Sequence, residues 1–150
     1  MEQIAVFVDD AEHARRILAP MLAQAAGPTR WVVVGCAPKL THRVGKWVSH
    51  RSRENWREQW LRTLRDRLEP TFAMASGERE WMVARAPLPD VSARLRRRLG
   101  ADLRLLDARR PKLGAVMPPL SAEQPAAQDH RWSTGLAVAT GMATVLALTD

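Results

Sequence analysis

The stretch EWMVARAPLPDVSARLRRRLGADLRLLDARRPKLG, residues 80–114, decides how the rest of the chain is read. Glu80 to Ala84 is a short β-prone run, so it predicts a strand. Pro87 and Pro89 then open a helix in which Val91, Leu95 and Leu99 recur at helical spacing. Gly100 stands where a helix C-terminus accepts a residue without a side chain. Asp102 to Leu106 (DLRLL) is a second apolar run ending at Asp107. Strand, helix and strand within one such unit predict two parallel strands of one sheet joined by a crossover.

The same alternation extends toward the N-terminus. Ile4 to Val8 (IAVFV) and Trp31 to Gly35 (WVVVG) are continuous apolar runs, the pattern of parallel strands covered on both faces. Between them, Ala14, Ile17, Leu18, Met21, Leu22 and Ala25 define a helix stopped by Gly27-Pro28, with Asp10 placed to cap it. Pro20 lies inside that helix and should kink it or cost it a hydrogen bond. A longer helix is predicted over residues 53–72, capped by Ser52, with Trp56, Trp60, Leu61, Leu64 and Leu68 on one face. The order βαβαβαβ predicts an α/β fold: an open, Rossmann-like parallel sheet of four or five strands with helices on both faces. Ligands in such sheets bind at the carboxyl ends of the strands. Those ends carry Asp9-Asp10, Cys36-Ala37-Pro38, Arg85 and Asp107 to Arg110.

The remaining chain divides by composition. Residues 1–114 form the predicted α/β domain. Residues 115–131 form a linker rich in proline. Residues 132–150 are an apolar tail. Gly135 to Leu148 has no charged residue but spans only 14 positions, short of the roughly 20 needed to cross a bilayer. The tail therefore reads as a helix docked on the domain or a partner, as a final strand at Thr144 to Thr149, or as an anchor that contacts a membrane. The chain has 150 residues, 46% hydrophobic and 26% charged, and can bury a core without covalent staples. Cys36 is its single cysteine, which excludes an intramolecular disulfide. MEQIAVFVDD lacks the pattern of a secretory signal, and the expected location is cytoplasmic.

The net charge of +7 is uneven: residues 115–150 contribute −2, which leaves +9 on the first 114. Such basicity suits an anionic partner without choosing one. Lys39, Arg43, Lys46, Arg51 and Arg53 surround His42, His50 and Trp47 in the crossover after the second strand. That position makes Lys39, Arg43 and Trp47 a candidate lid over a strand-end ligand. A nucleic-acid reading would put the cations on phosphates and stack a base on Trp47. No recognised nucleic-acid motif accompanies it, and Trp56, Trp60 and Leu64 are explained as helix core. Arg94, Arg96, Arg97 and Arg98 read as a solvated helix face. His42 and His50 have no carboxylate or Cys at ligand spacing, so no metal site is expected. Cys36 reads as a small core residue, or as a reactive thiol if Lys39 lowers its pKa.

The order and spacing of residues 80–114, with the Gly100-Ala101-Asp102 turn feeding Leu103 to Leu106, resemble a universal stress protein, a HUP-type nucleotide-binding α/β domain. IAVFVDD is similar to that family's first strand with its terminal aspartate, here Asp9. The resemblance covers residues 4–114 in element order, and Thr144 to Thr149 would supply a final strand. It implies a stress-related binding or signalling module rather than an enzyme, a homodimer paired through the last strand, and ATP or AMP as ligand. In the family two glycines follow the fourth strand and bring backbone N–H groups to the phosphates. This chain has Asp107 and Arg110 there. Side-chain cations would then have to replace the missing cradle. The expected ligand-binding residues are Asp9, Asp10, Cys36, Arg109 and Arg110, with Lys39, Arg43 and Trp47 above them. The alternative is an interaction protein that docks through its tail and basic face.

Overall fold

A computed structural model describes residues 1–39, 49–111 and 117–122. Its core is a four-stranded sheet. The strands are β1 (Glu2–Val8), β2 (Thr29–Gly35), β3 (Arg79–Val83) and β4 (Arg104–Asp107), in the order β3-β2-β1-β4. Every pairing is parallel: Ile4 lies opposite Trp31 on one side and Arg104 on the other, and Val33 lies opposite Trp81. The Rossmann-like open sheet expected from the sequence is therefore present. The candidate strand at residues 144–149 and the apolar tail lie outside the described residues. Among the described residues no helix is long and apolar enough to cross a membrane.

Among the described residues three helices connect the strands: α1 (Ala11–Ala23), α2 (His50–Phe72) and α3 (Leu88–Leu99). Alternation of side chains along each strand divides the core in two. Ile4, Val6, Val8, Trp31 and Val33 pack under α1 and α2, against Leu18, Leu22, Leu64, Leu68 and Phe72. Ala5, Phe7, Val32 and Val34 face the other way, against Val91 and Leu95 of α3 and against Leu120. Both faces of β1 and β2 are thus covered, which is why these strands read as unbroken apolar runs.

The boundaries moved in instructive ways. β1 and β2 each begin two residues earlier than their apolar runs, because parallel pairing continues through Glu2–Thr29 and Gln3–Arg30. α2 begins at His50, and its cap is Ser49 rather than Ser52. The Ser49 hydroxyl accepts from the Ser52 N–H at 3.2 Å. Asp10 occupies the cap position of α1, yet its carboxylate makes no capping bond. Pro20 sits on the exposed side of α1, which continues to Ala23. Gly100 ends α3 at φ 108°, where a side chain would be strained, and its N–H donates to the Arg96 carbonyl at 2.8 Å.

Part of the proline-rich stretch also belongs to the folded body. Leu120 and Ser121 are buried, and the Ser92 hydroxyl donates to the Leu120 carbonyl at 2.5 Å. Chain order then fixes where a site can form. β1, β2 and β3 run outward on one side, and α3 returns the chain to place β4 on the other side of β1. The carboxyl ends of β1 and β4 therefore flank the point where strand order reverses, the place such sheets bind ligands.

Candidate functional site

At that point the carboxylates of β1 and β4 meet the chain leaving β4. The Ala108 N–H donates to the Phe7 carbonyl at 2.9 Å, extending the ladder by one bond. The next residues turn across the crevice. Asp9 Oδ1 accepts from the Arg110 N–H at 2.7 Å. Asp107 accepts from the backbone N–H of Arg109 at 3.1 Å and from its guanidinium at 2.9 and 3.0 Å. The same guanidinium donates to the Pro118 carbonyl at 2.6 Å.

These contacts separate the two arginines that the sequence grouped together. The Arg109 side chain is only 4% exposed, and its fork is taken up by Asp107 and Pro118. It works as an internal tie holding residues 117–122 against the end of β4, not as an open phosphate clamp. Arg110 is 71% exposed, with its guanidinium 3.6 Å from Asp10. It stands at the rim, where a solvent-borne anion can reach it.

Cys36 lies under the same crevice. Its N–H donates to the Val8 carbonyl at 2.7 Å, and its thiol sits 3.8 Å from the Val34 carbonyl. Burial pushes the thiol pKa from 9.0 up to about 12. Arg109 acts against that rise, while the negative charges of Asp9 and Asp107 add to it. At neutral pH the group is a protonated thiol. The activation by Lys39 that the sequence allowed does not operate: Lys39 is exposed beyond β2 and is not among the groups acting on Cys36.

On the α1 side of Asp9 and Asp10 a cleft of about 180 Å³ opens toward α2. Asp9, Asp10 and Ala11 form one wall, and Trp60, Thr63, Leu64 and Arg67 form the other. Trp60, Thr63 and Arg67 are three and four residues apart, so they line one edge of α2. Sequence reading placed Trp60 in the core and missed Thr63 and Arg67. The i, i+3, i+7 spacing was visible, but nothing marked that edge of the helix as the one over Asp9. Gly35 helps bring Trp60 there. A Cβ at Gly35 would lie 2.8 Å from the Trp60 ring and 2.9 Å from Leu61, so the end of β2 must be bare for α2 to seat this closely.

The remaining candidates are dispersed. Arg85 points away from the crevice and pairs with Glu54 at 2.6 Å and Glu58 at 2.5 Å, clamping the end of β3 to α2. The Arg85 hydrogen bond holds the Glu54 carboxyl below its ordinary pKa. Arg43 and Trp47, expected as a lid, lie outside the described residues. Among the described residues no group of three or more His, Cys, Asp or Glu side chains is placed to hold a metal ion. No protein-family model matches the chain, and neither a curated protein nor a solved structure matches it.

Proposed function

We propose that this chain is a universal-stress-protein-like, non-enzymatic binding module that takes a nucleotide or a similar anionic small molecule at the carboxyl ends of β1 and β4. The observation that carries this reading is the cleft in which Asp9 and Asp10 face Trp60, Thr63 and Arg67, with Arg110 close by on Asp10. An indole beside a carboxylate pair suits a planar base and the hydroxyls of a ribose. Arg67 and Arg110 suit the phosphate end, which they would meet as guanidinium forks. The cleft is smaller than the roughly 300–1,000 Å³ of whole-ligand pockets. It holds one part of a nucleotide, and the remainder lies along the rim near Arg110.

The chain closing the crevice supports a particular binding mode. The Arg110 N–H, in the part of the fold where the family brings bare backbone to phosphate, is already given to the Asp9 carboxylate. An internal carboxylate thus takes a donor that a phosphate would use. Phosphate contact falls to side chains, and triphosphate recognition gains little from backbone. AMP and ADP should therefore bind about as well as ATP.

A thermal-shift panel of AMP, ADP and ATP tests this. Ligand at 100 times its Kd adds about 2.7 kcal/mol, a rise of several degrees for a domain of this size. The rise should shrink in Arg67→Ala and in Arg110→Ala. Absence of any shift at millimolar nucleotide would sink the reading.

A further inference from the structure

The β3 edge of the sheet holds a second concavity, larger than the strand-end cleft and separate from it. It measures about 260 Å³ and lies between β3 and α3. Its floor is Met82 and Leu95, and its rim includes Arg94 and Arg98. The two arginines are four residues apart, so they form one row along α3. Arg98 pairs with Glu80 at 2.8 Å. Arg94 has no carboxylate partner among the described residues. The groove exists because α3 packs against β1 and β2, on Phe7, Val32 and Val34, and leaves Glu80 and Met82 of β3 half-covered.

Beside this groove runs a strand edge that is unpaired among the described residues. The Trp31 N–H donates to the Glu78 carbonyl at 2.8 Å, and the Ala84 N–H donates to the Gly35 carbonyl at 2.9 Å. These bonds fix the phase of the ladder: the even-numbered residues of β3 turn their backbone groups to β2. Arg79, Trp81 and Val83 therefore turn N–H and C=O outward. Among the described residues no strand lies beyond β3.

We propose that this edge receives an extended peptide segment in which acidic and apolar residues alternate, added to the sheet as a strand next to β3. Backbone pairing would run along Arg79, Trp81 and Val83. Carboxylates on one face of the peptide reach Arg94 and Arg98, with their methylene stems over Met82 and Leu95. Apolar residues on its other face lie along the half-buried Trp81. Charge selects this occupant over a second copy of the chain. A two-fold pairing of β3 with itself, centred on Trp81, sets Arg79 against Val83 and Glu80 against Met82. It also gathers the Arg94 and Arg98 rows of both copies around one seam, where, among the described residues, each row has only its own Glu80 to offset it.

The probe is a fluorescein-labelled heptapeptide of alternating valine and glutamate, followed by anisotropy with the full chain. Saturable binding that weakens with salt is expected. Arg94→Glu should weaken it about tenfold. The same peptide with lysine for glutamate should not bind, nor should one N-methylated at alternate residues, a control that needs no protein variant. No saturation up to about 1 mM peptide overturns the proposal, as does affinity indifferent to N-methylation. Sedimentation of the unliganded chain supplies the other arm. A monomer leaves the edge open as proposed, whereas a dimer dissolved by Arg79→Pro means that a second copy holds it, and the proposal fails.

Discussion

Replacing Arg109 with methionine is the most direct test of how the strand-end crevice is built. The guanidinium makes two bonds to Asp107 and one to the Pro118 carbonyl, and its side chain is 4% exposed. Methionine keeps most of the volume but removes the charge and all three bonds. Breaking a buried pair from one side costs about 3–5 kcal/mol, because the partner charge stays behind. Asp107 is itself 16% exposed and retains the Arg109 backbone N–H, so the low end applies, about 3 kcal/mol. At roughly 2–4 °C per kcal/mol for a domain of this size, the melting temperature should fall by about 6–12 °C. Urea denaturation of the single variants and of Arg109→Met combined with Asp107→Asn closes a double-mutant cycle. The double variant should be less destabilised than the sum of the singles, since no charge is stranded. Hydrogen exchange supplies a local readout: Leu120 and its neighbours should lose protection before β1 does. A fall under about 2 °C with additive variants would refute the view that Arg109 is a tie.

Three further outcomes follow from named contacts. Ser49→Ala should cost about 1 kcal/mol by urea denaturation, and Ser52→Ala clearly less, because the Ser49 hydroxyl caps α2. Gly35→Ala should cost about 1–3 kcal/mol, because the added carbon meets Trp60 at 2.8 Å and Leu61 at 2.9 Å; the loss should appear in the same denaturation series, and a neutral result would mean that α2 is not seated this tightly. For Cys36 the folded pKa of about 12 lies above the unfolded 9.0, so the native state holds its proton longer. Stability from this group is intact below pH 9 and drains away as pH rises toward 12. Cys36→Ala should lose stability less steeply than the parent over that window in pH-stepped denaturation, and native Cys36 should resist iodoacetamide near neutral pH.

The fold was legible because its signals are redundant. IAVFV and WVVVG have the length and β-branching of buried strands, and the Pro87-to-Gly100 unit marks both ends of its helix. The boundaries were less legible for a physical reason. Hydrophobic pattern reports burial, while strand ends report pairing, and Glu2 pairs with Thr29 although Glu2 is exposed. The cap of α2 was misplaced for a related reason: Ser52 can cap by composition, but the backbone geometry gives that role to Ser49.

The site was legible in position but not in roles. The strand-end rule grouped Asp9, Asp10, Cys36, Arg109 and Arg110, and these residues lie around one crevice. What sequence cannot supply is the direction each side chain takes after a strand ends. Arg109 and Arg110 are adjacent and chemically identical, yet one is buried on Asp107 and the other stands in solvent. That difference arises from residues 117–122 returning over the end of β4, a tertiary contact between segments whose composition suggested a linker. The return of Pro118 gives Arg109 an acceptor, and the Asp9 carboxylate takes the Arg110 N–H. Asp107 and Arg110 together close the chain leaving β4 from within. Asp107 recruits a neighbouring cation inward, the next residue gives its N–H to a carboxylate of the chain, and Arg110 keeps its guanidinium at the rim, with Arg67 lining the neighbouring cleft. A ligand reaching this rim meets the Arg110 guanidinium, a contact that Arg110→Ala can test without disturbing the buried tie.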